Sequence, residues 1–469
     1  MGPDGERPVL PMTAQMIAEL ADGRLSGDAD AAVTGVAIDT RRLSPGDLFV
    51  ALPGENTDGH SFLDDAAGRG ATAVLVRGDV ATPHGVAAIA VDDPLSALGR
   101  IAGAIRGRLG ARVVAITGSS GKTMTKDLTA AVVRRRFRTI ASEASFNNEI
   151  GVPLTVLAAD AGTEVLVVEV GSRGVGHIAS LMPVLRPDVS VVLNVGTAHI
   201  GLFGSAEAIA VAKGELVEAL DRAGVAVLNA DDQAVDAMAT RTTARVLRFG
   251  VSATADVRAT NIALGEDACA TFTLEVPDGS AEVRLTIPGE HLVSDALAAA
   301  GAAVALGVDA GTIAAGLSKA RASAWRMETT DAPGGWRVIN DAYNANPGSV
   351  AAALKALVVM ARGRRTWAVL GAMAELGEHA AAEHDRVGRL VVRLGVRRLV
   401  AVGEETRPLY EAARMEGMTP EEATIVADPE EALRIARAEL EPGDVVLVKA
   451  SRAVGLERLA LALAGEDPA

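Results

Sequence analysis

At 469 residues the chain is long enough for about three domains of roughly 150 residues each. A net charge of −15 and a pI near 5.1 give a nonspecific nucleic-acid binder no basic footprint, and the single cysteine, Cys269, excludes an internal disulfide or a cysteine-ligated metal cluster. Mean hydropathy is +0.25, yet the longest unbroken apolar stretch runs only from Ala296 to Val308, short of the about 20 residues that cross a bilayer, so no integral membrane protein is expected.

The apolar content is mostly Ala and Val, with 3% aromatic residues, so the core must be built from small aliphatic side chains, which suits α/β layers. The first eleven residues carry charges and prolines but no apolar core of a secretion signal. A cytoplasmic protein is expected. Residues 33–108 alternate Gly- and Asp-rich turns with short apolar runs at Asp47–Leu52, Ala73–Val76 and Ala87–Val91, which predict strands of a small first domain over 1–108. A central domain over 109–323 opens with a β-branched run, Arg112–Thr117, followed by a helix over Lys122–Arg136. Buried strands are predicted at Val165–Val170, Val189–Val195 and Val225–Leu228, so strands alternating with helices argue for a parallel sheet covered on both faces. Between Ala255 and Ile287 the period falls to two, as in Ala270–Val276 and Glu282–Ile287, predicting an antiparallel appendage. Ala-rich helices follow at Ser294–Leu306 and Ala310–Ala320. A third, Rossmann-like domain over 324–469 is predicted from strands at Arg337–Asn340, Thr366–Leu370, Arg398–Val402 and Val445–Lys449, with helices at Ser349–Ala361 and Ala382–Leu394.

Only six of the 45 basic residues are lysines. Lys122, Lys213 and Lys449 sit in unusual contexts that invite a chemical explanation; Lys126, Lys319 and Lys355 do not. Thr117-Gly-Ser-Ser-Gly-Lys-Thr123 follows a strand and opens a helix, so backbone N–H groups and the helix dipole converge where a phosphate can sit. The full P-loop pattern would place glycine at 116, where this chain has Ile116, so the loop is a shortened version. Lys122 would reach the outer phosphates and the Thr123 hydroxyl would ligate Mg²⁺. Glu169 and His199 end later strands, where ligands of open α/β sheets bind. Lys213 reads as a solvated helix lysine; a carbamate formed from CO2 would reverse its charge. Asn340-Asp-Ala-Tyr-Asn-Ala-Asn-Pro347, Arg326 just upstream of it, and Lys449-Ala-Ser-Arg452 load the third domain's strand ends with polar groups.

Together with Asn147-Asn-Glu-Ile-Gly-Val-Pro153, Ala212-Lys-Gly-Glu215 and Asp39-Thr-Arg-Arg42, these motifs resemble the Mur ligases of peptidoglycan synthesis across nearly the whole chain. Asp341–Pro347 and Gly371-Ala-Met-Ala-Glu-Leu-Gly377 are similar to those members that attach D-alanyl-D-alanine to UDP-N-acetylmuramoyl-tripeptide. The resemblance implies an ADP-forming ligase using ATP and Mg²⁺. Gly118, Ser119, Ser120, Gly121, Lys122 and Thr123 would hold the phosphates. Thr123 and Glu169 would hold one Mg²⁺, and His199 with a carbamylated Lys213 a second. Arg326, Asp341 and Asn344 would contact ATP from the third domain. Thr40 and Arg41 would face the UDP group, Asn147 and Asn148 the muramoyl peptide, and Ser451 and Arg452 the dipeptide. Asp295 stands where the family's adenine motif usually ends in Asn, so it can accept from the adenine amino group but not donate. A monomer is expected. A third-step ligase adding a diamino acid and a folylpolyglutamate-type ligase share the ATP site, but the Asp-Asn-Pro-Arg of the former is absent. A GTPase switch would need Asn-Lys-x-Asp, and the nearest text is Asn229-Ala-Asp-Asp232.

Overall fold

A computed structural model describes residues 12–54, 57–196 and 200–466. The chain folds as α/β layers on three main sheets. The first has five strands in the order Arg24–Ser26, Ala87–Val91, Ala73–Arg77, Asp47–Val50, Gly35–Ala37, parallel apart from the first pair. Helix Pro94–Arg106 leaves this sheet with Pro94 in its first turn and Asp93 as its cap. Its buried Ile101 and Ile105 join one apolar cluster with Val113, Ala115, Leu166 and Val168 of the next sheet. The helix thereby seats the first lobe on the central one.

The central sheet has nine strands, with Arg112–Thr117 between Val165–Glu169 and Val189–Val192. Parallel pairing runs from Thr139–Ala141 at one edge as far as Val257–Leu264. The predicted antiparallel appendage continues this same sheet: Phe249 and Gly250 pair in parallel with Val257 and Arg258, and Cys269–Val276 and Gly279–Pro288 then extend the edge as hairpins. Helix Leu292–Ala305 covers the sheet and is apolar nearly all round, with Ala296, Ala298 to Ala300, Ala302 and Ala303 buried. A Cβ on Gly301 would stand 2.6 Å from Val227 Cγ1, so small residues are what allow helix and sheet to approach. Cys269 lies in the extended edge at 5% exposure, and burial, with Asp267 beside it, pushes its thiol up to about 11.

The third sheet has six strands, five of them parallel, with Glu328–Asp331 antiparallel at the edge. Helix Pro347–Ala361 starts two residues before the expected Ser349, because Asn346 and Ser349 form a reciprocal capping box with Pro347 in the first turn. Helix Lys122–Val133 ends short of the expected Arg136 and passes into turns. Among the described residues no helix is long and apolar enough to cross a membrane.

Candidate active site

The strand Arg112–Thr117 delivers residues 118–121 to the carboxyl end of the central sheet, and helix Lys122–Val133 begins there. Two glycines are required. A Cβ on Gly118 would lie 2.8 Å from Leu193 Cβ, and Gly121 has φ of +80° with its missing Cβ 2.3 Å from Asp295 Oδ1. The loop is tied down by Asn194, whose backbone and side-chain oxygens accept from Ser119 N at 3.1 Å and Ser120 N at 3.0 Å. Lys122 folds back to donate to Gly118 O at 2.7 Å. Loss of hydration lowers its pKa; Glu169 opposes that shift and Arg326 adds to it.

Thr123 is the node of the site. Its hydroxyl donates to Glu169 Oε2 at 2.7 Å and lies 3.1 Å from Ser145 Oγ. From the third lobe, Arg326 Nη2 donates to Thr123 Oγ1 at 2.8 Å and Ser145 Oγ at 3.1 Å, while its guanidinium lies over the Tyr343 ring at 4.2 Å. Buried Arg326 Nε has no protein acceptor among the described residues. Glu169, 1% exposed, also accepts from Asn147 Nδ2 at 2.7 Å. Asn148 Oδ1 instead accepts from Gly151 N at 3.0 Å and starts the helix Gly151–Leu157. Sequence reasoning missed Ser145 and the brace beneath it. Buried Lys126 donates to Ser142 O at 2.9 Å and Ala144 O at 3.1 Å, fixing a loop in which Ala144 has φ of +46°. Its spacing from Lys122, one helical turn, was the available signal.

Lys213 is not a solvated helix lysine. It is 5% exposed, and among the described residues no hydrogen bond or ion pair reaches it. Burial, with the charge of Lys122 nearby, holds its pKa well below the usual lysine range. His199 lies outside the described residues. Asp295, 7% exposed, sits at the foot of the phosphate loop and accepts from Thr125 Oγ1 at 3.3 Å; burial pushes its carboxyl up to about 7 against that bond and Arg326.

In the third lobe Lys449, 2% exposed, pairs with Asp341 Oδ2 at 2.5 Å and donates to Asn344 O at 2.8 Å. Ser451 is buried, accepting from Ala374 N at 2.9 Å and donating to Ala345 O at 3.3 Å. Arg452 lies over Trp325 at 4.5 Å and pairs with Glu457 at 2.9 Å. In the first lobe, Thr40 is buried at the start of a short 3₁₀ turn and hydrogen-bonds Asp65, while exposed Arg41 pairs with Asp39 at 2.6 Å. Neighbouring Arg42 reaches Glu143 of the central lobe at 2.6 Å.

A phosphate loop, a strand-end carboxylate at its threonine and an arginine from another lobe on the same hydroxyl make a nucleoside-triphosphate site shared between lobes, and comparisons with known proteins give its class as an ATP-dependent ligase. Three family models match in order: Mur ligase family, catalytic domain, at residues 32–106; Mur ligase middle domain at 116–303; and Mur ligase, glutamate ligase domain, at 325–452. The chain is 45% identical to a UDP-N-acetylmuramoyl-tripeptide–D-alanyl-D-alanine ligase of Mycobacterium tuberculosis, over 98% of this chain and 99% of that one. It superposes on crystalline MurF from Acinetobacter baumannii with TM-score 0.86 at 31% identity, over 98% and 100% of the two chains. For MurF of Thermotoga maritima in complex with ADP the values are 0.78 and 27%, over 92% and 97%. The chain belongs to the Mur ligase family, among its UDP-N-acetylmuramoyl-tripeptide–D-alanyl-D-alanine ligases.

Proposed function

We propose that the chain joins D-alanyl-D-alanine to UDP-N-acetylmuramoyl-tripeptide, converting ATP to ADP and phosphate, as a cytoplasmic monomer. The first lobe, 1–108, takes the UDP group beside Thr40 and Arg41; the second, 109–323, takes ATP; the third, 324–469, closes over both. The convergence of Glu169 and Arg326 on Thr123, with Asn147 donating to the other oxygen of Glu169, carries this reading, because it gathers oxygen ligands and a cation from two lobes at the start of the phosphate-loop helix.

A carboxylate is a poor electrophile, so one of its oxygens first attacks the γ-phosphorus of ATP and ADP departs. The dipeptide amine then attacks the acyl carbon of the resulting acyl phosphate. A C–N bond forms, the C–O bond to phosphate breaks, and the amine loses a proton. Gly118 to Lys122 hold the triphosphate, Arg326 meets charge developing on the transferred phosphoryl group, and Asp341 and Asn344 approach the ribose. Asp295 accepts from the adenine amino group. Asn147 and Asn148 border the muramoyl peptide, and Ser451 and Arg452 the strand end facing the dipeptide. Thr123 and Glu169 offer the hard oxygens that suit Mg²⁺, which when bound would neutralise phosphate charge.

Lys213 and His199 are assigned to a second Mg²⁺. A buried amine that meets no counter-ion among the described residues, and whose pKa burial holds well below the usual lysine range, is a nucleophile for CO2 in its unprotonated form: the N–C bond forms, one proton leaves, and an anionic oxygen ligand results. With ¹³C-labelled bicarbonate, NMR should show a carbamate carbonyl that Lys213→Ala lacks; a spectrum without that signal removes the modification. The activity itself is tested by phosphate release. It should require ATP, Mg²⁺, UDP-muramoyl-tripeptide and D-alanyl-D-alanine together, and equal turnover with free diaminopimelate or lysine in place of the dipeptide overturns the assignment.

A further inference from the structure

Thr123, Lys126 and Asp127 stand at i, i+3 and i+4 of helix Lys122–Val133 and so share one face. The Lys126 ammonium has three protons to give, and each finds an acceptor: Ser142 O at 2.9 Å, Ala144 O at 3.1 Å and Asp127 Oδ1 at 2.8 Å. The other oxygen of that carboxylate, Oδ2, accepts from Ser323 N at 2.9 Å and Ser323 Oγ at 2.7 Å. One charged pair therefore fastens two segments, distant in sequence, to a single turn of helix. Ser142 lies three residues before Ser145, and Ser323 three residues before Arg326. Ser145 and Arg326 are the groups that meet over Thr123 Oγ1.

Both segments follow a course that must be imposed on them. Ala144, just before Ser145, has φ of +46°, and Trp325 and Met327, on either side of Arg326, have φ of +61° and +51°. Residues with side chains rarely adopt this left-handed conformation, and it persists only where the surroundings hold it. From the third lobe the hold on the Arg326 turn comes from Met327 N donating to Asp341 Oδ1 at 3.1 Å and Tyr343 N to Trp325 O at 3.2 Å. From the central lobe it comes from Asp127 on Ser323. We propose that Asp127, oriented by Lys126, is a positioning residue for Arg326, setting its guanidinium at hydrogen-bond distance from Thr123 and Ser145 where the phosphoryl group is transferred. The inference rests on the ligase activity proposed above and gives the arginine of that reaction a fixed mount. Because a misplacement of about 1 Å can slow a reaction about 100-fold, the mount governs rate rather than substrate affinity.

Asp127→Asn tests the assignment, since asparagine has one acceptor oxygen and cannot serve both Lys126 and Ser323. Steady-state phosphate release should show kcat at least about tenfold lower, with the KM for ATP, UDP-tripeptide and dipeptide within about threefold of wild type. In an Arg326→Ala background the same substitution should lower kcat less than about threefold, because the side chain it aims is gone. Should Asp127→Asn fail to fold, Ser323→Ala removes one of the two donors to Oδ2 while leaving Lys126 its counter-ion; it should cost about threefold in kcat in the wild-type background and nothing with Arg326→Ala. Losses of equal size in the two backgrounds, no loss in either, or a raised KM in place of a lowered kcat overturn the positioning role while leaving the ligase reading standing. Wild-type protein inactive with ATP, Mg²⁺, UDP-tripeptide and dipeptide together overturns both.

Discussion

Asp295 lies under a phosphate-binding loop, buried and 3.3 Å from one hydroxyl, and a carboxylate there loses more hydration than that single bond returns. Its carboxyl is raised to about 7 from an ordinary 3.8, so the native state holds a proton that the unfolded chain releases near pH 4. In that window the native state binds more protons, and stability falls as pH rises from about 4 to about 7, then levels off. The nucleotide-free protein should therefore lose up to about 4 kcal/mol between pH 4 and pH 8 from this group. Asp295→Asn should flatten that part of the profile in urea denaturation; an unchanged slope would show that Asp295 is ionised throughout. A protonated Asp295 would also both donate and accept, as the asparagine it replaces does. Its burial was invisible in the sequence, as was that of Lys126, because a charged residue in a helical run reads as solvent-facing until the loop over it is placed.

The helix Ala206–Glu218 shows what a short motif compresses. In Ala212-Lys-Gly-Glu215 the lysine faces inward, and a Cβ on Gly214 would lie 1.7 Å from the Arg241 guanidinium, which donates to the carbonyls of Ala210 and Val211. Glu215 reaches across to accept from Gly176 N at 2.5 Å and Ala179 N at 2.9 Å, satisfying the start of helix His177–Leu185, which lacks a cap of its own. Glu215→Ala should destabilise the protein by about 2–3 kcal/mol, read as a shift in denaturation midpoint, and a shift under about 0.5 kcal/mol would show that water replaces the carboxylate. Elements with strong period or capping, such as Val165–Glu169 and helix Pro347–Ala361, were legible to within a few residues. The short helix Gly151–Leu157 was not, because its start depends on Asn148 and its content, Gly-Val-Pro-Leu-Thr-Val-Leu, favours no helix by propensity.

Across the whole molecule, alternating strands and helices announced α/β layers, and the family resemblance brought Arg326 of the third domain to the ATP site, but the other contacts between lobes were not legible, since contacts between distant segments leave no local pattern. One such meeting has no side chains at all. A Cβ on Gly201 would fall 2.6 Å from Gly377 N, and one on Gly377 would fall 2.9 Å from Gly201 Cα. Two backbones therefore touch where the segment following Val189–Val192 meets the third lobe. Gly201→Ala should wedge that joint, lowering kcat at least tenfold while the denaturation midpoint stays within experimental error; kcat within twofold of wild type would show that the lobes work without this contact. Such a joint calls for distance measurements between lobes, and the molecule is well suited to them. Its lone thiol is enclosed and remains protonated at neutral pH, so cysteines introduced in pairs on the outer surface would take up spin or fluorescent labels against a silent background, letting opening and closing be followed without first removing a native reactive site.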